Sequence, residues 1–145
     1  MSTKLFSRFS AIFTAVLLLA SCATQQHPAN SGASLPAQEV TNFTVRPKKV
    51  ILGEGVVLFG VRDEHARHLW WMRSKPETIG KWRAEEAVLP QWNKANELEI
   101  LIIPRGNSLV GFEGTAKKQG PYPGGGDQIY IPNAPASWSK IQPWP

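Results

Sequence analysis

The chain has 145 residues, with 16 Lys and Arg against 11 Asp and Glu, a single Cys and a formal net charge of +5. A lone cysteine excludes an internal disulfide framework. No run of Lys or Arg exceeds two, as at Lys48-Lys49 and Lys117-Lys118, so the basic stripe of a nucleic-acid binder is missing and no nucleic-acid partner is expected.

Lys4 and Arg8 precede an aliphatic run from Ala11 to Ala20 that only Thr14 interrupts, the pattern of a secretory signal peptide over residues 1–21. The run is too short to span a hydrocarbon layer of roughly 30 Å, which takes about 20 apolar residues. Leu19-Ala20-Ser21-Cys22 resembles the bacterial lipobox. That resemblance implies that Cys22 becomes the acylated (palmitate-type) first residue of a mature lipoprotein, tethered to a membrane through its lipid. Ala23 resembles the residue that follows the cysteine in lipoproteins sent to the outer membrane, which implies an anchor there, on the periplasmic face. Removing Lys4 and Arg8 takes the formal charge from +5 to +3.

Residues 23–40 are mostly Ala, Thr, Gln, Ser, Asn, Gly and Pro. Such a composition predicts a flexible tether, with lipidated Cys22 at its start, that sets the domain about 20 to 25 Å from the bilayer. Residues 41–145 then form one globular domain holding all six Trp. Thr41 to Arg46 alternates as a short half-buried strand. Val50 to Leu52 and Val56 to Val61 read as strands around Gly53-Glu54-Gly55, a hairpin or a bulged corner. Asp63 to Trp71 has the pattern of a helix capped by Asp63, and Pro76 to Leu89 is a stronger helix, with Pro76 in its first turn. Glu97 to Ile103 and Ser108 to Thr115 predict an antiparallel pair around the turn Pro104 to Asn107. Asp127 to Ile131 reads as a last strand, and Pro132 onward as an irregular tail held by Trp138 and Trp144. The fold class is α+β, a small single domain of short antiparallel strands with one or two helices.

The stretch LEILIIPRGNSLVGFEGTAKKQGPYPGGGDQIYIPN, residues 98–133, carries a second resemblance. Its order of strand, Pro-x-Gly turn, strand, Gly-rich loop and Gln-led strand is similar to the C-terminal half of the ADP-ribosyltransferase-like and tuberculosis-necrotizing-toxin-like domains of bacterial polymorphic toxins, which cleave NAD. The resemblance implies that Gln128, after Pro123-Gly124-Gly125-Gly126, lies in the nicotinamide–ribose cleft as the catalytic positioner. It also implies that an arginine holds the diphosphate, Arg62 by position after VVLFGV or else Arg73. Bare glycines let backbone N–H groups approach a phosphate, so Gly124, Gly125 and Gly126 join the candidate site. Tyr122, Trp70 and Trp71 are candidates to stack on a ring. NAD would be a substrate, with no resident cofactor.

Gln128 is alternatively the outward residue of an ordinary strand, and the glycines an ordinary surface loop. His65 and His68, at i and i+3, lack a recognisable third ligand, so no metal site is expected. Two functions remain open. One is an NAD glycohydrolase or ADP-ribosyl-transferring domain on a lipid tether; the other is a non-catalytic envelope lipoprotein that binds a protein or glycan partner, such as an inhibitor, through exposed tryptophans.

Overall fold

The computed structural model describes residues 27–64 and 69–144. The signal peptide, Cys22 and the His65 and His68 pair lie outside the described residues. Among the described residues no helix is long and apolar enough to cross a membrane.

Two antiparallel sheets and two helices make an α+β domain. Strands β1 (Lys48–Leu52), β5 (Leu109–Thr115), β6 (Asp127–Tyr130) and β3 (Trp70–Trp71) form one sheet, in the order β1-β5-β6-β3. Strands β2 (Val57–Arg62), β4 (Glu97–Ile102) and β7 (Ser139–Pro143) form the other, in the order β2-β4-β7. Helix α1 is Ala37–Val40 and α2 is Ile79–Glu86.

Residues of β1, β3, β5 and β6 on one sheet and of β2 and β4 on the other point between the sheets. Leu52, Leu109, Ile129 and Trp71 from the first sheet meet Leu58 and Leu101 from the second, with Ile103 and Ile131 beside them. Gly111 fits because a Cβ there would come within 2.9 Å of the Ile129 side chain. The alternate residues Val110, Phe112 and Tyr130 face the other way, into a cluster with Phe43. Helix α2 is capped by Thr78, whose hydroxyl accepts from the Lys81 amide at 3.1 Å. Its Trp82 packs with Val61, Met72, Leu98 and Trp144, edge to face with Trp144 at 6.1 Å between ring centroids.

The structure corrects several expected elements. The β4 and β5 segments are not a hairpin: β4 pairs with β2 and β7, and β5 pairs with β1 and β6. Both segments are rich in apolar residues, and each sheet puts one such strand against the shared core, so the turns at Gly53–Gly55 and Pro104–Asn107 are corners between sheets. The tail is ordered as a 3-10 turn at Ala136–Trp138 followed by β7, which pairs with β4 from Glu97↔Pro143 to Leu101↔Ser139. Trp70 and Trp71 are strand, not helix. Thr41 to Arg46 forms no strand beyond a single bridge, Phe43↔Ala116.

The second half of the expected tether also packs. Ala33 and Leu35 lie against the outer cluster of the first sheet, and the buried Asn30 bonds across to Val110 and Pro132. Composition alone favours solvation here, but one well-placed amide and two apolar side chains are enough to fix the segment.

Candidate functional site

A cavity of about 260 Å³ opens where the C-terminal end of α2 meets the first turn of β6, and Gln128, Glu86, Trp82, Trp92, Asn42 and Lys117 are among its lining residues. Gln128 pairs with Gly114 in the ladder, on the same face of β6 as Tyr130. It is buried, and its Nε2 donates to the Asn42 carbonyl at 3.0 Å. One N–H is thereby committed, which fixes the amide plane and leaves Oε1 and the second N–H for a ligand. Gln128 is therefore not an outward strand residue.

The glycine loop does a different job from the one its composition suggests. Gly124 N–H donates to Ala84 O, Gly125 N–H to Ala116 O and Gly126 N–H to Glu85 O, each at 2.9 Å. Gly126 O accepts from Ala116 N at 2.8 Å. The three amides are spent inside the protein, so they cannot cradle a phosphate as a nest does. They form a clasp that ties the last turn of α2 and the end of β5 to the start of β6. Glycine is needed because Gly124 and Gly125 have φ of +73° and +96° and because a Cβ on Gly126 would fall on the Glu86 carboxylate.

The two candidate arginines are elsewhere and engaged. Arg62 lies 3.3 Å from Glu97 and 3.6 Å from Glu99 in ion pairs, and lines a separate hollow with Glu99, Ala134 and Ser139. Arg73 makes a bidentate pair with Glu113, at 2.6 and 3.0 Å. Neither lines the Gln128 cavity, and neither does Tyr122, which is held by a reciprocal backbone pair with Gln119. Trp70 and Trp71 do line it, but Trp71 is core and Trp70 packs against Phe43 and Tyr130, at 5.5 and 5.1 Å. Trp92, 55% exposed, is the ring left most accessible. Among the described lining residues the cation is Lys117, exposed at the cavity mouth. No group of three His, Cys, Asp or Glu among the described residues could hold a metal ion.

Glu86 is the last residue of α2. In the structure its carboxyl is half-buried in the cavity wall. Burial, followed by the charges of Glu85 and Asp127, pushes it up from 4.5 to about 8. An acid raised in this way takes up a proton on folding, so the resulting penalty is absent below about pH 4.5 and grows until about pH 8. Glu86→Gln is expected to raise the thermal midpoint over wild type at pH 8 and to leave it unchanged at pH 4, as read by melts at the two values.

No protein-family model matches the chain, and no curated protein does. Solved structures do match in fold. A chain of the complex of Tne2 with Tni2 superposes with a TM-score of 0.55 at 14% identity, covering 68% of this chain and 90% of that one. A chain of the complex of Tse6 with Tsi6 gives 0.50 at 15% identity, covering 79% and 88%. A chain of Rhs1-CT in complex with its cognate immunity protein RhsI1 gives 0.47 at 15%, covering 77% and 84%. Identities this low are evidence of shared fold. Each of these structures is a protein bound to a partner protein.

Proposed function

We propose that this is a toxin-like domain that takes the nicotinamide–ribose end of NAD into the Gln128 cavity and cleaves the glycosidic bond, or passes the ADP-ribose to an acceptor. A lipid on Cys22 would hold it at the outer membrane. The observation that carries the reading is a buried glutamine amide, oriented by Asn42 O, in a cavity with tryptophan walls. At about 260 Å³ the space falls below the roughly 300–1,000 Å³ of sites for whole drug-sized ligands, which suits one half of a dinucleotide. The diphosphate would lie outside, toward Lys117, because Arg62 and Arg73 are paired on other faces.

Cleavage breaks the bond from ribose C1′ to the pyridinium nitrogen, and the electron pair leaves with nicotinamide. Water then adds to the oxocarbenium-like carbon and gives up a proton. Little acid–base work is needed. Gln128 Oε1 can accept from a ribose hydroxyl or from the attacking water and so hold the reacting atoms in line.

Gln128→Ala is expected to lower nicotinamide release from a fluorescent NAD analogue by about 100-fold or more, the scale of losing a preorganised polar group at a reacting centre. Lys117→Ala should raise KM with kcat nearly unchanged. Wild-type protein that neither binds nor turns over the analogue would sink the enzymatic reading.

A second reading has one observation in its favour: with both arginines engaged and the glycine amides spent, the usual diphosphate grips are missing. A non-catalytic lipoprotein that binds a protein partner through Trp92 and its surroundings would leave NAD intact and lose that partner on Trp92→Ala.

A further inference from the structure

The proposed reaction makes no use of Glu86. It is the last residue of α2, lines the cavity, and has no hydrogen bond or ion pair among the described residues. The nearby cations are committed or distant. Lys81, on the same helix, is 3.0 Å from Glu77 and 3.9 Å from Glu85. Arg83 turns to Val88 O and Asn93 O at 3.3 and 2.7 Å. Lys117 is exposed at the mouth. Glu85, on the helix, and Asp127, on β6, are the acids that bear on the carboxyl, and both oppose its ionisation.

What lines the cavity around this unpaired carboxyl is aromatic: Trp82, one turn earlier on α2, with Trp70 and Trp92. Indole faces attract cations, more strongly when desolvated. The Trp82 ring already carries the Arg83 guanidinium, 5.3 Å from its centroid, so the exposed Trp92 ring and the Glu86 carboxyl are the groups left to meet a positive, flat guest.

We propose that the cavity selects a planar organic cation, with Glu86 as its counter-charge and the indoles as its walls, so that a pyridinium enters and its neutral counterpart is refused. The inference deepens the proposed function and rests on it for the natural ligand, since the pyridinium of NAD is cationic and the reduced ring is not. In the empty cavity the Glu86 carboxyl is mostly protonated at neutral pH. An arriving cation reverses the balance: the carboxyl ionises, its proton leaves to solvent, and the guest's charge takes the proton's place. Affinity for a cation therefore rises with pH up to about 8, by at most tenfold per unit.

The clasp sets this geometry. Gly124 and Gly126 hold the carbonyls of Ala84 and Glu85 and so fix the helix end that carries Glu86 against the strand that carries Gln128.

The test is calorimetric titration of the protein with 1-methylnicotinamide, a cation, and with nicotinamide, its neutral relative, between pH 6 and pH 8 in buffers of different ionisation heat. The expected result is that the cation binds about tenfold or more tightly at pH 8 than at pH 6 with release of a proton, while nicotinamide shows no such trend. Glu86→Gln, which keeps the shape and removes the charge, should abolish both the trend and the proton release. Pyridinium binding with the same pH profile in Glu86→Gln, equal profiles for the two probes, or no binding of either would overturn the proposal. Failure of the NAD reading is distinct: NAD left intact while 1-methylnicotinamide binds in a Glu86-dependent way would refute the enzymatic assignment and uphold the cation site.

Discussion

Replacing Asn30 with alanine is expected to lower the free energy of unfolding by about 2–4 kcal/mol. Its Nδ2 donates to Val110 O and Pro132 O at 3.0 and 2.9 Å, and its Oδ1 accepts from Val110 N–H at 2.7 Å. The side chain thus bridges β5 to the chain just after β6, beyond the end of the ladder at Phe112↔Tyr130. Alanine orphans these backbone groups in a site only 8% exposed, and each buried unsatisfied group costs about 1–3 kcal/mol, with partial recovery by water. Denaturant unfolding checks it. A change under about 0.5 kcal/mol, the range of ordinary surface positions, would mean that residues 27–40 are the loose tether their composition suggests.

Gly124→Ala is expected to cost more than Gly125→Ala, by a wide margin. Both glycines have positive φ, so both substitutions carry the left-handed penalty of about 1–2 kcal/mol. At Gly125 the new methyl meets open space; at Gly124 it meets Ala116 O and lies 2.9 Å from Lys118 N. Ala116 cannot retreat, since its carbonyl accepts from Gly125 and its amide donates to Gly126 O. Overpacking adds about 1–3 kcal/mol, for a total of about 2–5 kcal/mol, against about 1–2 kcal/mol at Gly125. Because the clasp joins α2 to β6, Gly124→Ala should also weaken ligand binding in the cavity, whereas Gly125→Ala should not. Equal costs at the two positions would mean that the loop is merely flexible. Paired thermal melts decide it, at roughly 4–8 °C per kcal/mol for a domain near this size.

Local signals were enough for much of the fold. The aliphatic runs Val50 to Leu52 and Val56 to Val61, the apolar run Glu97 to Ile103 and the helical pattern after Pro76 all come from short-range pattern, and they give the α+β class; α2 itself starts later and ends sooner than that pattern, at Ile79–Glu86 behind the Thr78 cap. Partner choice does not. Nothing in ELEILII or SLVGFEGT says that adjacent strands belong to different sheets, because both are simply apolar strand segments and the decision is made by a core shared with Leu52 and Ile129. The tail differs from its pattern for the same reason: Ser139 to Pro143 has an exposed lysine and glutamine and a proline, weak as a strand by itself, yet β4 supplies a free edge.

The site was partly legible in the same sense. Gln128 was found through the order of elements around it, and it does line a cavity. Arg62 and Arg73 follow from the resemblance, by position after an early strand, which carries no information about Glu97, Glu99 and Glu113, the carboxylates that claim them. Glu86 gave no signal at all, since its character comes from burial against Trp82 and the Gly126 loop. A pair of glutamates at a helix end normally reads as solvated surface.

The central claim is that the nicotinamide end of NAD sits beside Gln128. The most direct measurement is a two-dimensional nitrogen–proton NMR titration of the protein with NAD, following side-chain amides and indoles. The account predicts that the Gln128 amide pair and the Trp92 indole shift together, with Trp138, packed on the far core, unmoved. Saturating NAD that leaves the Gln128 and Trp92 signals where they were would contradict it.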